Sequence, residues 1–241
     1  MRDMPTTPNK VGRVTRRSVL LGIAALGLGG CATTTERALV AQARASVPPP
    51  PPPPMYYARP EERFPIPEVD VSQIDPVFWR TEVDYPTDEP VGSVIVDTPN
   101  RYLYHTQPDG RATRYGVGVG RDGFEWSGRG HIAYKREWPR WNPPDEMVAR
   151  QPELEPVSIA NGGMDPGLHN PLGSRALYIH QGNRDTIYRI HGTIETATIG
   201  KPVSSGCIRM LNQDVIHLAD NVRDGSTIVV IPDPITAAQY A

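Results

Sequence analysis

The sequence predicts one mainly β domain with a few short helices, carried behind an N-terminal signal segment and a proline-rich tether. Three observations support this. Short β-prone runs separated by turn signals begin near Gly92, a polar-faced hairpin spans Arg175 to Gly192, and only two stretches, both short, have helical character. At 241 residues the chain has room for one domain of about 150 residues plus appendages, so a single core suffices. The expected boundaries are 1–31 for the signal, 32–75 for the tether and 76–241 for the domain, with its core at about 91–232.

The first thirty residues divide into a basic region (Arg2, Lys10, Arg13, Arg16, Arg17) and an acid-free apolar stretch, SVLLGIAALGLGG, ending at Cys31. That is the layout of an export signal. About a dozen apolar residues at ~1.5 Å each give roughly 18 Å, short of the ~30 Å hydrocarbon core, so a stable transmembrane helix is not expected. TRRSVLL resembles a twin-arginine signal, although Val19 stands where that pattern favours Phe. LGGC, Leu28 to Cys31, resembles a lipobox, which implies cleavage before Cys31 and lipidation of its thiol; simple cleavage nearby is the alternative. With Ala32 rather than Asp next, a lipidated chain would be sorted to the outer membrane. The expected location is the periplasm or cell envelope, with a membrane anchor through Cys31.

Proline is abundant, 27 residues with an unbroken run from Pro48 to Pro54. Lacking the N–H and fixing φ, such a run forms neither helix nor central strand, and it reads as a polyproline II rod of about 20 Å at ~3.1 Å per residue. The net charge of -2 arises from acidic and basic residues without long blocks of one sign, so no nucleic-acid partner is expected. Only two cysteines exist. If Cys31 is lipidated or removed, Cys207 has no intramolecular partner in an oxidising compartment, and it is either a working thiol or a buried inert one.

From Gly92 the runs SVIVDT, RYLYHT and RATRYGVGVG, with PN and PDG between them, predict an antiparallel meander. GVGVG lacks the following helix and acidic residue of a dinucleotide loop. Between Trp138 and Gly173 the chain is irregular, with a short helix at Asp145 to Arg150 and a long loop, NGGMDPGLHNPLG, that suits a functional loop or a lid support. Trp138 and Trp141 are open to stacking on a sugar or to simple packing. The hairpin is expected to turn at Gly182 to Asp185, pairing Gln181 with Thr186, Tyr178 with Arg189 and Ala176 with His191. Tyr178, His180, Arg189 and His191 then share one face. LNQDVIHLADNV predicts a helix with Val215, Ile216, Leu218 and Ala219 inward, and STIVVIP is expected to close the sheet.

The chemistry concentrates in IHGTIETATIGKPVSSGCIRM. A thiol with pKa near 8.5 is only slightly ionised at neutral pH, and an adjacent imidazole can take its proton and hold the ion pair. His191 precedes Cys207 by sixteen positions, which suggests that the histidine ends one strand and the cysteine returns beside it. Small residues before the cysteine leave the backbone N–H groups of Gly206 and Cys207 available as an oxyanion hole, each such donor supplying about 3 kcal/mol to a transition state. Papain-like enzymes place Cys before His, and sortases use far longer intervals. His105, His131, His169 and His217 have no metal-ligand spacing, and no cofactor or metal is expected.

His191, Gly192, Ser204, Gly206, Cys207 and Arg209, together with Asn170 to Gly173, resemble the signature of the L,D-transpeptidase catalytic domain (YkuD-like) family. Ser205 stands where many members have histidine. The similarity runs from about Val91 to Pro232. It implies a β-sandwich of mixed sheets acting on peptidoglycan stem peptides. Cys207 would attack the bond between diaminopimelate and the terminal D-Ala of a tetrapeptide, and His191 would be general base and acid, oriented by the Gly192 carbonyl. The acceptor would be a second diaminopimelate amine, an outer-membrane protein or lipoprotein, or water; a non-catalytic envelope tether is the alternative from another class. The resemblance also implies that the loop from His191 to Ser204 walls the site. Substrate contacts would come from Arg209, Ser205, Tyr178 and Arg189, with Arg209 open to either a substrate carboxylate or a structural anchor.

Overall fold

A computed structural model describes residues 51–120, 126–204 and 206–232. The signal segment with Cys31, residues 32–50 of the expected tether, and Ser205 lie outside the described residues. The strands are β1 Thr81–Asp84, β2 Val94–Asp97, β3 Tyr102–Gln107, β4 Arg111–Gly116, β5 Val119–Gly120, β6 Gly128–Glu137, β7 Arg175–Gln181, β8 Arg184–Thr193, β9 Pro202–Ser204, β10 Ile208–Leu211 and β11 Thr227–Ile231, with helices α1 Asp145–Arg150 and α2 Asn212–Asn221. Nine of these strands form one mixed sheet, ordered β1-β4-β3-β2-β11-β6-β7-β8-β10, and β5 pairs with β9.

The mainly β architecture with a few short helices is as expected, built on one large mixed sheet. The predicted meander is β2-β3-β4, all antiparallel. A bridge between Gly118 and Arg209 brings the chain after β4 beside β10 at the far edge. The sheet thereby wraps a core to which both ends contribute: Leu103 and Tyr115 from the meander, Leu177 and Ile190 from the hairpin, Ile208 and Met210 from β10. α2 closes this core with Val215, Leu218 and Ala219, and the Lys135 ammonium caps its last carbonyls, donating to Ala219 O at 2.7 Å and to Val222 O. STIVVIP does not close the sheet. β11 lies at its centre, parallel to β2 and antiparallel to β6, because the return from α2 delivers its buried Ile228 and Val230 between meander and hairpin.

The tether expected over 32–75 needs correction for its described part. From Pro51 onward the chain is packed as a strap. Tyr56, Val69 and Ile74 are buried against Ile199 and Leu211, with Phe78 and Trp79 alongside. Glu62 anchors the strap's middle, accepting from both terminal nitrogens of Arg175 at 2.8 and 3.0 Å and from Trp138 Nε1 at 2.8 Å. Trp138 is therefore a core residue that packs on Phe64. Apolar residues interspersed among the prolines, too sparse to predict an element, find partners only on the finished sheet.

Candidate active site

β8 and β10 run parallel, with His191 opposite Arg209. Cys207 immediately precedes β10, two positions before Arg209, so alternation puts thiol and imidazole on one face at diagonal positions of neighbouring strands, about 7–8 Å between backbones and within side-chain reach. Arg209 acts electrostatically on both groups. The hairpin delivers His191 with the predicted pairing of Tyr178 to Arg189 and Ala176 to His191, but not with the predicted turn. Gln181 pairs with Arg184 and His180 with Asp185, so the turn is shorter, and the surplus residues bulge out of β8 between Asp185 and Arg189. Asp185 Oδ1 holds the bulge by accepting from Ile187 N at 2.8 Å, and Ile187 takes a φ of 68°, an unusual value for a β-branched residue.

His191 is 4 % exposed, and its Nδ1 lies 3.0 Å from Gly192 O. A carbonyl can only accept, so Nδ1 carries the proton and Nε2 keeps its lone pair. The carbonyl that orients the ring is itself fixed. Gly192 N donates to Leu172 O at 3.1 Å, and a Cβ at Gly173, whose φ is 59°, would come within 2.6 Å of Gly192 O. Asn212 Oδ1, which accepts from Ser174 N at 2.9 Å, abuts both glycines. The NPLG motif therefore supports the histidine. Asn170 ties it to the outer loops, donating to Pro139 O, Met164 O and Asp165 O while its Oδ1 accepts from Leu172 N.

Burial pushes the His191 imidazole down to about 4, with the Arg209 charge acting in the same direction and the Gly192 carbonyl opposing. Burial pushes the Cys207 thiol up, against the backbone N–H and charge of Arg189 and the charge of Arg209. Burial thus works against the charged form of each group, and against the ion pair that the sequence suggests, because low-dielectric surroundings disfavour both charges. Gly206 is buried, with a φ of 117°, and a Cβ there would meet Tyr188 Cε1 at 2.9 Å. Only glycine fits this approach to the cysteine.

A cavity of about 500 Å³ opens in front of Cys207. Leu172, Tyr178, Ile187, Tyr188 and Arg189 line its inner side, and the opposite wall is the segment from Arg140 to Arg150, including Trp141 and Met147 of α1's surroundings. Among the described side chains of the loop after His191, those of residues 193–202 are not part of the cavity lining. That loop turns to the strap, with Ile199 buried beside Tyr56 and Val69. The NGGMDPGLHNPLG loop is tied to the 140–150 wall: Trp141 and Met164 exchange backbone hydrogen bonds, and Arg140 donates to Gly162 O at 2.7 Å.

Tyr178 stacks on Tyr134, with ring centroids 4.4 Å apart, and carries the Arg189 guanidinium 4.2 Å above its ring. Arg189 is also bidentate to Asp185 at 2.7 and 2.8 Å, so its charge is already engaged. Arg209 donates to Glu195 at 2.9 Å, which anchors the loop after β8. Met147, Arg150, Ile187 and Tyr188 are cavity residues that sequence reasoning missed. The bulge that exposes Ile187 and Tyr188 leaves no local signal, and of the wall residues only Trp141 had been singled out. Among the described residues no cluster of three metal-ligating side chains occurs.

The L,D-transpeptidase catalytic domain model (YkuD) matches residues 92–231, and the chain belongs to that family. A probable L,D-transpeptidase ErfK/SrfK of Escherichia coli K12 is 31% identical over 150 residues, covering 59% of this chain and 44% of that protein. A putative L,D-transpeptidase from the ATP synthase region of Fuscovulum blasticum is 31% identical over 141 residues, covering 57% of this chain and 68% of its own length. The chain thus spans about half the length of the Escherichia coli relative. Among solved structures, one described as a probable carnitine operon oxidoreductase from Brucella melitensis is 44% identical with a TM-score of 0.45, covering 67% of this chain and 99% of its own. An L,D-transpeptidase from Xylanimonas cellulosilytica is 18% identical with a TM-score of 0.41, covering 61% of this chain and 63% of its own.

Proposed function

We propose that this protein is a peptidoglycan L,D-transpeptidase of the cell envelope, with Cys207 as nucleophile and His191 as proton carrier. The single observation that carries this reading is the His191 Nδ1 to Gly192 O bond of 3.0 Å, which leaves Nε2 as the basic nitrogen on the face that holds Cys207. In the first step the sulfur bonds to the diaminopimelate carbonyl carbon while its proton passes to Nε2. The oxyanion is held by the N–H groups of Gly206 and Cys207. Collapse breaks the amide C–N bond, Nε2 returns the proton to the leaving nitrogen, and D-Ala departs, leaving a thioester. In the second step a neutral amine attacks the thioester carbon, its proton goes to Nε2, the C–S bond breaks and the thiolate recovers that proton. The 140–150 wall shields this intermediate from water, which favours amine over hydrolysis. The acceptor in this reading is a diaminopimelate amine; a protein amine or water are the other outcomes. The export signal supports a periplasmic site of action, with a lipid anchor if Cys31 is modified.

Cys207→Ala is expected to cut D-Ala release from a tetrapeptide by at least about 1000-fold with an unchanged circular dichroism spectrum. Undiminished turnover would sink the mechanism. Muropeptide masses from cells with and without the gene separate crosslinking, protein attachment and trimming.

A further inference from the structure

The cavity in front of Cys207 is bordered by more positive charge than the reaction above uses, and most of it is already neutralised. Arg140 is paired with Asp165 and donates to the carbonyls of Gly162 and Gly163. Arg189 is held by both oxygens of Asp185 and by Tyr188 O. Arg209, on the same face of the sheet, is held by Glu195. Arg150 differs from all three. It lines the cavity together with Cys207, it is exposed, and among the described residues it has no ion pair or hydrogen bond from its guanidinium. Glu146, one turn earlier on α1, lines the same wall without forming an ion pair with it, although residues four apart on a helix are neighbours. An arginine that faces a substrate cavity while a carboxylate of its own helix leaves it unpaired has its planar donor fork available for an incoming carboxylate or similar anion.

We infer that Arg150 is a carboxylate-recognition residue of the cavity, which anchors an anionic group of the stem peptide across from the thiol. This rests on the stem-peptide substrate of the proposed function and assigns to that substrate a contact on the outer wall. The carboxylate comes either from the acyl donor or from the acceptor. Both present a carboxylate near the reacting centre, and both would meet the guanidinium on α1 while their reacting atoms face β8 and β10.

The test separates Arg150 from the overall reading by using two reagents of nearly equal size. Cys207 alkylation in the full chain is followed by peptide mass spectrometry with iodoacetate, an anion, and iodoacetamide, which is neutral. In Arg150→Gln the ratio of the two rates is expected to fall about 5-fold, and in Arg150→Lys to fall less, since a point charge remains without the fork. An unchanged ratio in Arg150→Gln overturns the inference whether or not the wild type turns over a tetrapeptide. Given turnover, the KM of Arg150→Gln for one substrate is expected to rise about 10-fold, as befits loss of a charge-assisted contact. A rise for the tetrapeptide identifies the donor carboxylate. A rise confined to the acceptor, and absent when its carboxylate is amidated, identifies the acceptor. Unchanged KM for both substrates overturns the assignment to the stem peptide. A wild type that alkylates with the expected anion preference but releases no D-Ala refutes the proposed function and leaves the anion site standing.

Discussion

His191 lies between two influences of opposite sign: its burial disfavours the imidazolium, and its hydrogen bond to Gly192 O favours it. Burial dominates and holds the ring at about 4, while Cys207 is pushed up. The proton therefore moves from sulfur to nitrogen only as the new bond forms. Iodoacetamide should accordingly alkylate Cys207 at a rate that keeps climbing from about pH 6 to 9, as the thiol ionises. A pH-independent plateau across that range would mean a standing ion pair and would overturn the neutral assignment. Turnover should lose its base only as His191 protonates, giving kcat/KM an acid limb near pH 4 instead of near the ordinary ~6.5. Sequence made His191 and Cys207 legible as candidates because their residue types and order carry the chemistry, while the part of Gly192 came from the family resemblance. The protonation state was not legible, since it depends on burial by residues far along the chain.

At the scale of elements, the site consists of two parallel strand ends, a glycine-lined support behind the histidine and a wall in front of the cysteine. The hairpin's outer pairing was readable from the count of residues on each side of the turn. The bulge was not, because a shorter turn with a bulge and a longer turn without one give the same pairing at Tyr178 and Arg189. α1 and α2 were readable from proline placement and apolar spacing, but α1's place over the cavity follows from contacts made by the 158–173 loop. Asn170 joins that loop to the Pro139 turn by one hydrogen bond and braces the loop itself by three more. Asn170→Ala strands buried carbonyls and the Leu172 N–H, and is expected to cost about 2 kcal/mol or more in urea unfolding. Limited proteolysis should then cut faster between residues 140 and 165 than elsewhere. Unchanged cleavage there would mean that Asn170 does not hold the wall.

On the scale of the whole molecule, the strap makes the folded unit begin well before the region that matches the family. Tyr56, Val69 and Ile74 are buried by it, and each such side chain contributes roughly 1.5–3 kcal/mol. A chain starting at residue 81 should therefore melt well below one starting at residue 51, with the deficit on the order of 5 kcal/mol. Equal melting temperatures would make the strap dispensable. Beneath it Asp214 is fully buried, accepts from Tyr56 OH at 3.3 Å and lies 3.6 Å from Arg80. Burial raises its carboxyl to about 7, against the opposing Arg80 charge and Tyr56 bond. Because the folded value exceeds the unfolded ~3.9, the folded state binds the extra proton between them. Its contribution to stability is full below about pH 4 and is lost as pH rises through about 7. Asp214→Asn should gain stability relative to wild type as pH is raised from 4 to 8 in thermal melts, and a gap independent of pH would refute this.

The sequence by itself determined the β-rich class and the family, and it pointed to the proposed nucleophile and base, because these reside in local composition and in the order of a few chemically distinctive residues. Tertiary structure alone decided that residues 51–80 form part of the domain and that the 140–150 segment walls the cavity in front of the thiol. It also decided that Arg189 and Arg209 are engaged by carboxylates while Arg150, among the described residues, is not, and that burial disfavours charge on both thiol and imidazole. Each of these depends on desolvation or on pairing between residues distant in sequence, and only the completed fold sets which groups share a low-dielectric interior and which remain in contact with water.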